Sequence, residues 1–192
     1  MPSIEINNNE IELVEDMRIF GLIIRSDLKW TSNTEHITVK AFKRLWVLRR
    51  LKALGASQSR LLDVYCKKVR SVTELAVPAW YPGLTVSDAL DIERVQKAAC
   101  KVILGERYSD YASALDDLNL DTLEYRRQIV SLKFAKKCLK YNQTKDMFPL
   151  NNIDAIDVRQ RDKFQVQFAK GSRLLDSAIP QLQRALNEDA NS

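Results

Sequence analysis

A single histidine, His36, stands in the 192 residues, so any Ser-His-Asp or Cys-His device would have to use it. It adjoins Ile37 at the start of an apolar helical pattern, with no Ser or Cys at a telling spacing, and a structural or surface role is expected. The five glycines, Gly21, Gly55, Gly83, Gly105 and Gly171, are isolated, which leaves no loop to cradle phosphates. No His/Cys/Asp cluster has the spacing of metal ligands, so neither a metal nor a cofactor is expected. Asp116-Asp117 is a paired-aspartate arrangement of the kind that can hold divalent ions for phosphoryl transfer. That chemistry needs the pair on a β-hairpin with a third carboxylate beside it. Here the flanks Ala114-Leu115 and Leu118-Asn119-Leu120 lie between helical signals, and a solvated helix end is expected. No catalytic residue is assigned.

Charge is more informative. Residues 36–70 hold ten Lys and Arg against Asp63 alone, whereas the first 35 residues carry a net −4 and everything beyond residue 70 balances. The whole excess of +5 therefore comes from one stretch. Within it Lys40, Lys43, Arg44, Arg49, Arg50 and Lys52 share a helical pattern with no acid from His36 to Leu62. Like charges one helical turn apart repel by a few tenths of a kcal/mol per pair. A polyanion is the simplest compensation, and these six residues are the expected nucleic-acid contacts. The alternatives are internal balance by Glu10, Glu12, Glu15 and Asp16, or no role. Arg126-Arg127 and Lys136-Lys137 are expected on solvated faces of a long helix.

The elements that must carry these residues are mainly helical. The first 31 residues suggest a small antiparallel hairpin or meander: Ser3 to Ile6 alternates, Asn7-Asn8-Asn9 turns, Glu10 to Val14 resumes, and Met17 to Ile24 is a third run around Gly21. From about Asn33 the period becomes helical, with Ile37, Ala41, Leu45, Leu48 and Leu51 or Lys52 inward and Phe42 and Trp46 widening the stripe. Gly55 stops it. A second helix begins after the Ser57 cap, buries Leu61, Leu62, Tyr65, Val69 and Val72, and ends near Pro78. Ala79 to Gly83 is expected as an exposed turn bearing Trp80 and Tyr81. A third helix opens at Thr85 or Ser87 and closes at Gly105. A short one lies around Ser109–Asp117, and a long one runs from the Asp121 or Thr122 cap to about Tyr141, burying Leu123, Tyr125, Ile129, Leu132 and Phe134. The chain thus divides into a hairpin over 1–31, a helical bundle over 32–142, a polar linker over 143–171 and a last helix over 172–192, with Pro180 at a start or kink.

At 45% hydrophobic residues the chain can build a core, and no run approaches the roughly 20 apolar residues of a membrane span. Cys66, Cys100 and Cys138 are odd in number and far apart, so reduced thiols and a cytoplasmic or nuclear setting are expected, with no membrane partner.

Several stretches resemble one family. Ile19 to Trp30 followed by His36-Ile37 is similar to the "LGV…D-x-L-x-W…HI" segment of non-LTR retrotransposon reverse transcriptases. Glu74 to Thr85 resembles that family's "LEYASPVWHPGLT", and Asp91 to Gly105 its "LERVQKRALRIILG". Lys43 to Lys52, Leu61 to Tyr65, Leu120 to Lys137 and Ser177 to Pro180 continue the likeness in the family's order. The resemblance is to the primer-grip hairpin, the thumb and the helices after it; the catalytic aspartates of the family's polymerase centre lie upstream of this region. It implies a part of an RNA-directed DNA polymerase that is catalytically incompetent alone, with residual binding of an RNA–DNA hybrid or duplex. Phe20, Gly21 and Leu22 would be the primer-grip turn, Gly21 allowing close approach of the backbone. A helical interaction module without nucleic-acid affinity is the alternative. Its self-association or protein partner would use the palm-facing surface and the Trp80-Tyr81 turn.

Overall fold

The computed structural model describes residues 4–7, 9–151, 162–168 and 170–191. Ser3 and Asn8 of the expected first strand and turn, and residues 152–161 and 169 of the expected linker, lie outside the described residues. The fold class is as expected, mainly α with small antiparallel hairpins at the N-terminal end.

The hairpins are two rather than one meander. β1 (Ile4–Ile6) pairs with β2 (Asn9–Ile11), and β3 (Asp16–Ile19) pairs separately with β4 (Leu22–Arg25). The expected third run is therefore itself a hairpin, broken at Phe20-Gly21. Both turn residues take positive φ, +49° and +89°, the two-residue turn whose twist suits flanking strands. This second hairpin is moored to the first helix of the bundle: the Ile23 amide donates to Asn33 Oδ1 at 3.1 Å, and Leu22 is buried. Asn33 thus ties the hairpin to the bundle.

α1 (Thr31–Ala53) buries Ile37, Ala41, Leu45 and Leu48, as the 3.6 period dictates. α2 (Gln58–Val64) starts at Ser57, whose hydroxyl accepts from the Arg60 amide. It widens into a π-helical turn over Tyr65–Arg70 and closes as α3 (Ser71–Thr73). The helix ends five residues before Pro78, because Pro78 instead occupies the first turn of α4 (Val77–Trp80), where its missing N–H costs nothing. Trp80 is consequently in the core, its indole N–H donating to the Leu75 carbonyl at 2.7 Å, and the expected exposed Trp80-Tyr81 turn is corrected. A 3-10 turn over Tyr81–Gly83 leads to α5 (Val86–Leu104), opened by a Thr85/Asp88 capping box. α6 (Tyr111–Leu118) is capped by Asp110, and α7 (Leu123–Cys138) by Thr122.

α7 departs from its apolar pattern. Its buried positions are Leu123, Arg127, Ser131, Ala135 and Cys138, while Tyr125 and Phe134 are exposed. Arg127, expected on a solvated face, is only 1% exposed. Its neighbour Arg126 pairs with Glu74 across to the end of α3. The main core is built from α1, α2, the π-helical turn, α4, α5, α6 and the start of α7. A polar network crosses it: Tyr65 donates to Gln96 Oε1 at 2.6 Å, Gln96 Nε2 donates to the Asp121 carbonyl at 2.8 Å, and Tyr111 donates to Glu93. A second core joins Ala135 and Cys138 to Phe148, Phe164, Leu182 and Leu186. The expected linker therefore contributes two buried rings, together with α8 (Asn142–Lys145). α9 (Ser172–Leu175) precedes α10 (Ala178–Asn191), where Pro180 sits in the first turn as a start rather than a kink.

Candidate nucleic-acid interface

α1 is the element that positions the basic residues, and its length and phase decide which are available. At 100° per residue the buried stripe of Ala41, Leu45 and Leu48 defines an inner side, and Lys43 and Arg50 lie nearly opposite it. Lys40, Lys43, Arg49 and Arg50 are all exposed. Among the described residues none of the four enters an ion pair, and the helix offers a single acid, Glu35, near its start. Glu12, Glu15 and Asp16 are exposed and unpaired with α1; the side chain of Glu10 is outside the described residues.

The other two expected contacts have internal partners. Lys52 lies in the phase of the buried stripe, and its ammonium donates to the Val102 and Ile103 carbonyls at 2.6 and 3.1 Å. It thereby satisfies the open C-terminal end of α5 and opposes the negative end of that helix. Arg44 donates to the Lys68 carbonyl in the π-helical turn at 2.6 Å. It also flanks, with Lys40, a small cleft of about 140 Å³ whose far wall is Gly21.

That cleft is where the hairpin meets the helices. Gly21 faces inward: a Cβ there would stand 3.3 Å from Leu75 Cδ2, so the close approach is to the chain's own body. Leu22 is a core anchor. Phe20 alone points outward, 96% exposed at a positive φ that costs a bulky residue about 1–3 kcal/mol. The three residues of the expected primer-grip turn thus divide into one presented ring and two that seat it. His36 lines the same cleft, half-buried.

Phe42 and Trp46, expected to widen the core stripe, lie on the outer side instead, 41% and 61% exposed. Their phase is legible, since each sits about 100–140° from Ala41, and only their apolar type argues for burial. Val39 and Val47 are exposed on the same side. The outer surface of α1 is therefore an alternation of rings and cations.

Asp116 and Asp117 are exposed at the end of α6, as a solvated helix end requires. Among the described residues no group of three His, Cys, Asp or Glu could hold a metal ion, and no helix is long and apolar enough to cross a membrane. Comparison of the chain with family models, with curated proteins and with solved structures gives no match.

Proposed function

We propose that this chain is a nucleic-acid-binding segment of the reverse-transcriptase type, corresponding to a primer-grip hairpin and thumb, that holds an RNA–DNA hybrid or duplex by its backbone and performs no polymerisation by itself. One observation carries the binding: Lys40, Lys43, Arg49 and Arg50 stand exposed and, among the described residues, without an ionic partner, on a helix with one acid. Four unopposed cations within three turns are unfavourable in isolation, and phosphates offset that repulsion. Contacts of this kind fix position without reading bases, so affinity should be independent of sequence. The hairpin supports the same function, because its seat on α1 brings the Gly21 turn to a cleft that Lys40 also lines.

Two experiments test it. Blunt duplexes of unrelated sequence should bind the full chain with affinities within about threefold of one another, as phosphate contacts demand; strong sequence preference, or no binding, would overturn the proposal. Primed RNA template with Mg²⁺ and nucleotides should give no extension, because two metal ions need carboxylates that α6 does not assemble. Extension that vanishes in Asp116→Ala or Asp117→Ala would contradict it.

A further inference from the structure

Trp46 is surrounded on its own helix by groups that share one kind of ligand. Phe42 and Lys43 lie one turn before it, Arg49 and Arg50 one turn after, and all four are exposed. The nearest acid of α1, Glu35, is three turns away. An indole left largely in water forgoes the stabilisation that burying so large a ring would bring, and the cations beside it repel one another. A ligand with phosphates alone relieves only the second of these. A ligand with phosphates and free apolar ring faces relieves both.

Duplex nucleic acid keeps its bases stacked inside and offers α1 only phosphates and groove edges. An unpaired strand offers phosphates and base faces together. The spacing agrees: four residues of helix set Phe42 and Trp46 about 6 Å apart along the axis, beyond the roughly 3.4 Å rise of stacked bases. Neighbouring bases must unstack to use both rings, which costs a single strand little.

We infer that the outer surface of α1 binds single-stranded nucleic acid, with bases stacked on Trp46 and Phe42 and phosphates on Lys43, Arg49 and Arg50. This rests on the nucleic-acid function proposed above and specifies the ligand of the same helix: the unpaired strand next to the duplex, taken by the rings. Lys43, Arg49 and Arg50 meet the phosphates of a blunt duplex when it is offered alone and those of the unpaired strand when one is present, and the rings favour the strand.

The probe is oligo(dT), which does not pair with itself, titrated into the full chain beside a blunt duplex of equal length. Trp80 is wholly buried and Trp30 half-buried, so exposed Trp46 reports directly. Oligo(dT) should quench the tryptophan fluorescence, and Trp46→Phe should lose that signal while keeping most of the affinity. Trp46→Ala should weaken oligo(dT) binding, followed with a labelled strand, by about 5- to 150-fold and duplex binding by less than about twofold. Its melting temperature should match the wild type, because the ring is outside the core. Equal losses on both ligands, or no loss on either, would overturn the stacking inference while a steep salt dependence on duplex kept the backbone function intact. Failure of the wild type to bind either ligand would overturn both, and would favour a protein partner for these rings.

Discussion

Lys52 reaches the last carbonyls of α5 because residue 105 has no side chain. A Cβ on Gly105 would lie 2.5 Å from the Lys52 ammonium, and the backbone there holds φ +63° with ψ −124°, a combination open only to glycine. Gly105→Ala should therefore cost about 1–3 kcal/mol, read as a lower denaturant midpoint; an unchanged midpoint would contradict both the backbone strain and the clash with Lys52. Cys100 makes a second residue-level prediction. Burial pushes its thiol up to about 11 from an ordinary value near 9, so the folded chain keeps it neutral while the unfolded chain ionises it first. The stability this gives is full below about pH 9 and declines as pH rises towards about 11. Denaturant midpoints measured across that window should fall, and should fall less steeply in Cys100→Ala. Tyr65, also raised by burial, adds to the decline above about pH 10 in both proteins.

At the level of elements, α7 carries the least expected feature, the buried Arg127. Its guanidinium lies over the Tyr81 ring, 5.5 Å from the centroid, and its three nitrogens have no hydrogen-bond partner among the described residues. Desolvation pulls its pKa below the usual arginine range despite Glu93, so loss of water outweighs the favourable charges around it. Arg127→Met, which keeps the length and drops the charge, should raise stability by about 1 kcal/mol and the melting temperature by about 2–4 °C. A drop instead would mean that the cation–ring contact outweighs desolvation.

What is legible at this scale rests on phase and punctuation. The inner stripe of α1, the caps at Ser57, Thr85 and Thr122 and the stop at Gly55 all depend on local chemistry that the sequence displays. Burial is misread where a residue's type and its phase disagree: Phe42 and Trp46 are apolar on an outer side, and Arg127 is charged on an inner one. Trp80 is misplaced for another reason, since Pro78 serves equally to end one helix or to begin the next, and only tertiary packing chooses. The same limit applies to the basic residues. Six lie in one helical pattern, but two of them meet carbonyls contributed by α5 and by the π-helical turn, partners that are distant in sequence.

For the whole molecule, the described residues spread four cations without an ionic partner over the outward half of α1, whose inner stripe lies in the main core. If Lys40, Lys43, Arg49 and Arg50 hold a duplex as proposed, binding would release about four counterions and set a log–log slope against salt of roughly −3 to −4. Affinity should then fall roughly 60- to 250-fold between about 50 and 200 mM salt. Reversing Arg49 and Arg50 to Glu should remove most of the affinity and flatten the slope by at least half, with an unchanged thermal melt, because neither arginine has an internal partner among the described residues. The decisive measurement is that slope, taken for the wild type and the double variant with a melt of each. A steep slope that the variant loses while melting normally is the predicted result; a flat wild-type slope, or a variant that melts early, would contradict the assignment of α1 to phosphate binding.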